Sequence, residues 1–171
     1  VDWEATRERV QSLCPDWRGR ISVHPGFLGR TVDNRTTTLG RNGSDYTATL
    51  LARALNAKEV VVTTDVGGVM TADPALVQDA YPIARLTYME ALELANFSTH
   101  IFHPSTMIPL IASGIPMRIK HTSAARGTVT VIDAVGTDEI RQPTAIATLE
   151  HVAMLDVEWR ALTRPANVAA R

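Results

Sequence analysis

Segments whose apolar residues recur at helical spacing alternate along the chain with short β-branched segments that are typical of strands. Apolar residues at near-helical spacing behind Asp2, a residue type that favours helix N-caps, predict a helix over 3–13. Ile21 and Val23 alternate with polar neighbours and predict a strand that enters a loop. The threonine-rich stretch 36–39 predicts a further strand, which a glycine ends.

An alanine- and leucine-rich segment follows, and it predicts a helix with Ser44 at its N-cap and its end near Asn56. The apolar, β-branched run 59–64 comes directly after this helix. Such a run is typical of a strand that is buried on both faces in a parallel sheet. Together with the strand at 36–39, this order of strand, helix and strand predicts a crossover unit.

Two more helices and a strand are predicted in the second half of the chain. Thr87 and Glu90 have the spacing of a capping box at the start of one helix. The next helix has Pro104 in its first turn and ends at Gly114, before a strand over 115–120. The alternation predicts an α/β protein. The apolar side chains of the second of these helices are expected in the core: Met107, Ile108, Leu110 and Ile111.

The end of the chain has a different character. The polar stretch 133–143 (DAVGTDEIRQP) is rich in residues that break helices and strands, and it predicts a connector between two units. Beyond it, 145–149 and 151–159 have alternating patterns that predict two strands. Two strands do not make a domain by themselves, so a second unit begins here.

Composition and charge exclude several classes of function. The chain has 171 residues, 45% of them hydrophobic and 20% charged, which is ordinary for one globular domain. Its 17 basic and 18 acidic residues form no basic stripe, so no nucleic acid is expected as a partner. No apolar stretch approaches the roughly 18 residues that cross a membrane, so we expect a cytoplasmic protein with no membrane partner. Cys14 stands alone among scattered histidines, and no protein-held metal site is expected.

The stretch 38–45 (TLGRNGSD), between a predicted strand and a predicted helix, carries the strongest candidate chemistry. Glycines let the backbone approach a ligand, and the free N–H groups at a helix N-terminus favour an anion. Arg41 adds a two-pronged donor for a carboxylate, Ser44 a hydroxyl, and Asp45 an acceptor for an ammonium group or for basic side chains. We favour a carboxylate or phosphate site over the alternative of an ordinary turn before a capped helix.

A second glycine-containing loop, 64–74 (TDVGGVMTADP), leaves the carboxyl end of the strand predicted at 59–64. In open α/β sheets, ligands bind beyond the carboxyl ends of the strands, so this loop is a candidate cover for a nucleotide. Asp65 would accept a hydrogen bond from the ribose or the base. Gly-Gly and Asp-Pro steps also mark plain turns, so the loop gains weight only beside the first one.

Four blocks of the sequence resemble the aspartokinases in their order and spacing. The blocks are LGRNGSDYTATLLARAL, TTDVGGVMTADP, LTYMEALELANF and HIFHPSTMIPLIASGIPMRIK. The resemblance extends over 21–132, which corresponds to the second half of the family's amino-acid-kinase domain. Beyond it, 145–159 resembles the opening of the ACT regulatory region that follows this domain.

The resemblance implies an α/β fold with an amino-acid-kinase-like (carbamate-kinase-like), mainly parallel sheet between helices. The fold would be incomplete and followed by the beginning of an ACT (α+β) domain. The C-terminal part of the kinase domain would span 1–133, a connector 134–143 and the truncated ACT domain 144–171. We expect the chain to be part of a longer enzyme and inactive alone, and the parent enzyme to form homo-oligomers through its ACT regions.

The activity implied by the resemblance is the ATP-dependent phosphorylation of the side-chain carboxylate of L-aspartate to 4-phospho-L-aspartate. This is the first step toward lysine, threonine and methionine, and Mg²⁺ would be carried by the nucleotide. The resemblance assigns Arg41, Gly43 and Ser44 to the aspartate, and Asp45 to the organisation of catalytic basic groups. It assigns a further set to the nucleotide: Thr64, Asp65, Met70, His100 and Ile101.

Two positions depart from the family's pattern. Ala75 stands where an arginine usually follows the Asp-Pro step, and His100 stands where a lysine is usual, so two positive charges expected at the phosphates are missing. These departures leave an alternative, a noncatalytic relative that binds a nucleotide or a partner. A second alternative is another amino-acid kinase that acts on a different carboxylate or carbamate, and Arg41 argues against it.

Overall fold

In the computed structural model, helices and strands alternate along the chain. The residues that the structure describes are 1–13, 19, 21–65, 67–97, 102–123, 128–136 and 143–149. The helices are α1 (Trp3–Leu13), α2 (Gly43–Ala54), α3 (Tyr88–Phe97) and α4 (Met107–Ser113), and a 3₁₀ turn at Pro104–Thr106 precedes α4. The strands are β1 (Leu28–Arg30), β2 (Thr36–Thr38), β3 (Val60–Thr64), β4 (Arg85–Thr87), β5 (Met117–His121) and β6 (Val129–Asp133).

The described strands form two sheets. β1 and β2 make a small antiparallel pair. The main sheet has the order β3-β5-β6-β4, in which β3 lies parallel to β5, and β4 lies parallel to β6. β5 and β6 run antiparallel, so the sheet is mixed with a parallel majority of pairings. The expected α/β class is confirmed.

The hydrophobic core lies where the main sheet meets α3 and α4. Leu86, Met117 and Ile132, from three strands of the sheet, are fully buried. Met107 and Leu110 of α4 are also fully buried in the same cluster. Burying side chains of this size contributes about 1.5–3 kcal/mol each, so this layer fixes the sheet beneath the candidate site.

The expectation that all four apolar residues of α4 face the core is wrong for two of them. Ile108 is 57% exposed and Ile111 is 42% exposed. The helix has only seven residues and buries the narrow stripe that carries Met107 and Leu110. The positions that flank this stripe therefore remain in solvent.

Two predicted helix ends are confirmed in atomic detail. The backbone N–H and the hydroxyl of Thr87 donate to Oε2 of Glu90 at 2.7 and 2.9 Å. The backbone N–H of Glu90 donates back to the Thr87 hydroxyl at 3.1 Å, which completes the capping box. At the end of α4, Gly114 takes a left-handed conformation with φ 66°, as a C-terminal glycine does.

The predicted N-cap of α2 is wrong by two residues. The helix begins at Gly43, and its N-cap is Asn42, which has a left-handed conformation (φ 51°) and makes no side-chain capping bond. Gly43 is buried, and a Cβ there would lie 3.0 Å from atoms of both Leu39 and Phe27. The close packing of this glycine sets the helix start, so Ser44 lies inside the first turn.

Three predicted strand features also differ from the structure. Ile21 and Val23 are almost fully exposed and form no strand, because no neighbouring strand is present among the described residues to form backbone hydrogen bonds with this short segment. β2 pairs with β1 and not with the main sheet, so β2, α2 and β3 are no crossover unit. Residues 145–149 are not a strand: Ile146 makes one backbone hydrogen bond, to Thr71. The strand predicted at 151–159 lies outside the described residues.

Truncating the core of α4 tests the packing. We expect Leu110→Ala to lower the free energy of unfolding by about 2–5 kcal/mol, because the side chain is fully buried and leaves a cavity. Ile108→Ala is the matched control on the same helix, and its exposed side chain predicts a loss of about 0.5 kcal/mol. Urea unfolding of both variants measures the difference, and equal losses would contradict the placement of the core.

The ion pair across β4 and β6 predicts a loss of stability in acid. Nε of Arg85 donates to Oδ2 of Asp133 at 3.0 Å, and Val135 and Gly136 donate backbone N–H groups to Oδ1. The hydrogen bond from Arg85, which outweighs desolvation, holds the pKa of Asp133 below its ordinary value of 3.8. A lowered pKa in the folded state stabilises the fold above the ordinary value, and this stabilisation disappears as the pH falls through the folded pKa.

We therefore expect the free energy of unfolding to decrease from about pH 5 toward pH 2, and to decrease less in Asp133→Asn. Urea unfolding at a series of pH values measures both slopes. Identical slopes in the two proteins would show that Asp133 does not contribute to the acid sensitivity.

Candidate active site

A cavity of about 960 Å³ opens at the carboxyl end of β3. Val62, Thr63 and Thr64 line it from β3, and Met117 and Ile119 line it from the parallel neighbour β5. Ligands of α/β proteins bind at this position, beyond the carboxyl ends of parallel strands. The cavity is also within the usual size of small-molecule sites.

Residues outside β3 and β5 complete the wall of this cavity. They are Asp45 in the first turn of α2, most of the loop 68–76, Leu94 of α3, Phe102, and 146–149 after the last strand. The described lining residues include the carboxyl groups of Asp45 and Asp73 and no lysine or arginine. The ionisable side chains of the described lining are therefore acidic.

The loop after β3 is held at its base by Thr130 of β6. The backbone N–H of Val69 donates to the buried Thr130 hydroxyl at 2.9 Å, and this hydroxyl donates to the carbonyl of Ile83 at 2.6 Å. Gly68 has φ 119°, and a Cβ there would lie 2.5 Å from the Thr130 hydroxyl oxygen. The glycine predicted as part of a ligand loop is thus required by close packing against β6.

The end of β3 places Thr64 and Asp65 at the rim of the cavity. The Thr64 hydroxyl donates to Oδ1 of Asp65 at 3.0 Å, and Asp65 is exposed. Thr122, directly after β5, donates its backbone N–H and its hydroxyl to the Thr64 carbonyl, both at 2.8 Å. This pair of bonds fixes the strand end. Met70 also lines the cavity, and it forms an isolated bridge with Pro82.

The start of α2 presents free backbone donors. The N–H of Gly43 bonds to Gly40 and that of Tyr46 bonds to Asn42. Those of Ser44 and Asp45, between them, have no acceptor among the described residues. Two unpaired N–H groups at the positive end of a helix are suited to an anion.

Asp45 and Arg41 flank these amides on different sides. Asp45 is half-buried, and this burial raises the pKa of its carboxyl group. Arg41 is exposed and lines a second cavity of about 310 Å³. Phe102 and Leu149 line both cavities, so the two spaces adjoin and share a wall.

The structure thus brings together most of the residues that the sequence nominates. Asp45, Thr64 and Met70 line the larger cavity, and Asp65 stands beside Thr64. Arg41 lines the smaller cavity next to the first turn of α2. The other nominated residues are Gly43, buried at the helix start, Ser44, exposed beside it, and His100 and Ile101, outside the described residues.

Sequence reasoning missed three contributors to this site. Thr130 holds the loop after β3, Thr122 holds the end of β3, and Phe102 lies between the two cavities. A single threonine or phenylalanine in a sequence does not indicate such a contact. The residues that the two threonines bond lie 61 and 58 positions away along the chain. The alternation in 127–131 (GTVTV), which overlaps the first three residues of β6, is a local pattern typical of a strand.

No described helix is long and apolar enough to cross a membrane. No group of three or more histidine, cysteine, aspartate or glutamate residues within the described ranges is placed to hold a metal ion.

Residues 1–121 match the model of the amino acid kinase family, and the chain belongs to that family. Within it, the chain is similar to aspartokinases. It is 41% identical over 120 residues to the lysine-sensitive aspartokinase 3 of Escherichia coli, a match that covers 70% of this chain and 27% of the relative. It is 38% identical over 158 residues to the chloroplastic aspartokinase 1 of Arabidopsis thaliana, covering 90% of this chain and 28% of the relative.

A solved structure supports the same relationship. The fold superposes on E. coli aspartokinase III, crystallised in complex with aspartate and ADP, with a TM-score of 0.70 and 39% identity. The match covers 78% of this chain and 30% of that one. The chain therefore spans less than a third of the length of the relatives it matches.

Adding a side chain at Gly68 tests the anchoring of the loop. We expect Gly68→Ala to destabilise the protein by about 2–4 kcal/mol, because it combines a strained positive φ with a clash at Thr130. Gly114→Ala is the control, since its φ is also positive but no atom lies within 4 Å of the added Cβ. It should cost only about 1–2 kcal/mol of strain. Thermal unfolding measures both, and an equal cost would contradict the close contact.

Proposed function

We propose that the chain is the C-terminal part of an aspartokinase catalytic domain, followed by the start of its regulatory region. The proposed division is 1–133 for the kinase part, 134–143 for the connector and 144–171 for the beginning of an ACT domain. The proposed reaction of the longer enzyme is the transfer of the γ-phosphoryl group of ATP to the side-chain carboxylate of L-aspartate. We further propose that this enzyme is cytoplasmic and forms homo-oligomers through its ACT regions.

The observation that carries the proposal is the pair of adjoining cavities on the two sides of the α2 N-terminus. The larger lies at the carboxyl end of β3 and is of a size for a nucleotide. The smaller is lined by Arg41 and by Asn42, the N-cap of α2. Two anionic substrates that react with each other require two such neighbouring spaces.

The amino-acid substrate is assigned to the space beside Arg41. The guanidinium group is suited to a two-pronged contact with the α-carboxylate, and the amides of Ser44 and Asp45 supply further donors. Gly43, packed closely against Leu39 and Phe27, lets α2 begin where it does and so places these amides. Asp45 would hold the substrate's ammonium group or orient basic side chains of the catalytic centre.

The nucleotide is assigned to the larger cavity, with Thr64, Asp65 and Met70 at its wall or rim. His100 and Ile101 are proposed to continue this surface. Oxygen atoms are the ligands that Mg²⁺ prefers, and the cavity offers those of Asp45 and Asp73. With so few carboxylates, the ion would be held mainly by the phosphates and would neutralise their charge.

This arrangement suits phosphoryl transfer without a general base. The attacking carboxylate is already anionic, so the protein's task is to hold the two anions together and to compensate their charge. Arg41, the α2 amides and the nucleotide's own cation would do this. Robust aspartate-dependent turnover would exclude the alternative of a noncatalytic relative.

The test uses the longest natural polypeptide that contains this chain. We expect aspartate-dependent ADP formation and, with hydroxylamine present, aspartyl hydroxamate. Arg41→Ala should raise KM for aspartate on the order of 10²-fold while KM for ATP stays nearly constant, because a charge-assisted contact to one substrate is lost. Arg35→Ala, a control that breaks the exposed pair with Asp33, should change neither. Absence of turnover, or equal effects on both substrates, would overturn the assignment.

A further inference from the structure

The segment 143–149 follows the kinase part of the chain and crosses back over the larger cavity. Two hydrogen bonds anchor it. The Thr144 hydroxyl donates to Oε1 of Glu90 at 3.0 Å, and the backbone N–H of Ile146 donates to the Thr71 carbonyl at 2.8 Å. The first anchor lies on α3, and the second lies on the loop after β3, which also lines the cavity.

The glutamate that receives Thr144 is the one that caps α3. Its Oε2 atom accepts the two bonds from Thr87, and its Oε1 atom accepts Thr144, so the two oxygens serve different partners. Desolvation tends to raise the pKa of Glu90, but the bonds from Thr87 and Thr144 outweigh it and the pKa is lowered. The carboxylate is therefore held ionised, in the form that accepts bonds on both sides.

The anchors and the cavity wall involve different residues. Thr144 and Glu90 are absent from the described lining of the cavity, whereas four consecutive residues after the anchor, 146–149, belong to it. Ile146 is 68% exposed and Leu149 is 45% exposed, although both line the cavity. These apolar side chains are exposed at the cavity, where the flat face of a nucleobase would pack against them.

We propose that the 143–149 segment forms part of the nucleotide-binding surface, and that Thr144 and Glu90 are positioning residues that hold it there. This inference rests on the function proposed above. Because the anchor bonds to α3 and the wall contacts the ligand, displacing the segment from Glu90 removes one side of the nucleotide site. The aspartate space loses only its shared residue Leu149.

The test compares three proteins in the longest natural polypeptide that contains the chain. Thr144→Val keeps the size and branching of the side chain and removes the hydroxyl, whereas Thr144→Ser keeps the hydroxyl. Calorimetry with ADP gives the dissociation constant, and steady-state kinetics gives KM for ATP and for aspartate. Thermal unfolding checks that each variant is folded.

We expect Thr144→Val to bind ADP about 2- to 10-fold more weakly, the range for one lost hydrogen bond. KM for ATP should rise with it, KM for aspartate should change less than twofold, and Thr144→Ser should match the unmodified protein. A Thr144→Val protein that binds ADP normally would overturn the inference. Equal losses in both variants would overturn it as well, because Thr144→Ser keeps the hydroxyl and the loss would then not follow the hydrogen bond to Glu90.

A double-mutant cycle with Glu90→Ala shows whether the effect passes through the bond. Glu90→Ala also removes the capping box, so its own effect is mixed, but the cycle isolates the pair. Thr144→Val should add nothing in the Glu90→Ala background, and full additivity would overturn the inference. The failure of the proposed function has a different signature, since the unmodified protein would then neither bind ADP nor turn over aspartate.

Discussion

The hydroxyl group of Thr130 is the interaction on which the geometry of the site depends. It is fully buried, accepts the N–H of Val69 and donates to the carbonyl of Ile83, so it ties together both ends of the loop that leaves β3. The N–H of Ile83 also bonds to the Val69 carbonyl at 2.7 Å. An unpaired buried polar group costs about 1–3 kcal/mol. Moving the loop would break these buried hydrogen bonds, so they keep Val69 and Ile83 in place. The loop wall of the larger cavity is therefore held by β6 together with the bond between the two ends of the loop.

The carboxyl ends of two strands and the N-terminus of a helix meet at the site and explain its location. β3 and β5 are parallel, so their carboxyl ends meet at one edge of the sheet, where Thr122 fixes the carbonyl of Thr64. The N-terminus of α2 approaches the same edge, because Asp45 lines the same cavity as Thr64. Strand ends supply acceptors and a helix start supplies donors. The backbone alone therefore supplies both hydrogen-bond donors and acceptors at this site, and charged side chains add to them.

Local chemistry made part of this structure predictable from sequence. The capping box of Thr87 and Glu90 was predictable because its two residues are three positions apart, and β3 because its apolar run is long. β4 and β6 were not predicted: β4 has three residues and begins at Arg85, and its placement depends on pairing with a strand 46 residues away. The N-cap at Ser44 was wrong because the packing of Gly43 set the helix start. Packing against other segments decided these placements, and the local sequence does not specify such packing.

The electrostatics of the α2 N-terminus indicate what kind of ligand would gain most from this site. Burial raises the pKa of Asp45, which means that its charged form is unfavourable in the absence of a compensating cation. No cation pairs with it among the described residues. The amides beside it and the guanidinium of Arg41, in contrast, favour an anion. A ligand that brings an ammonium group to Asp45 and a carboxylate to the amides and Arg41 satisfies both, and a free α-amino acid carries these two groups on one carbon atom. Because Asp45 lines the larger cavity and Arg41 the smaller, such a ligand would lie where the two cavities adjoin, and a simple anion there would leave Asp45 uncompensated.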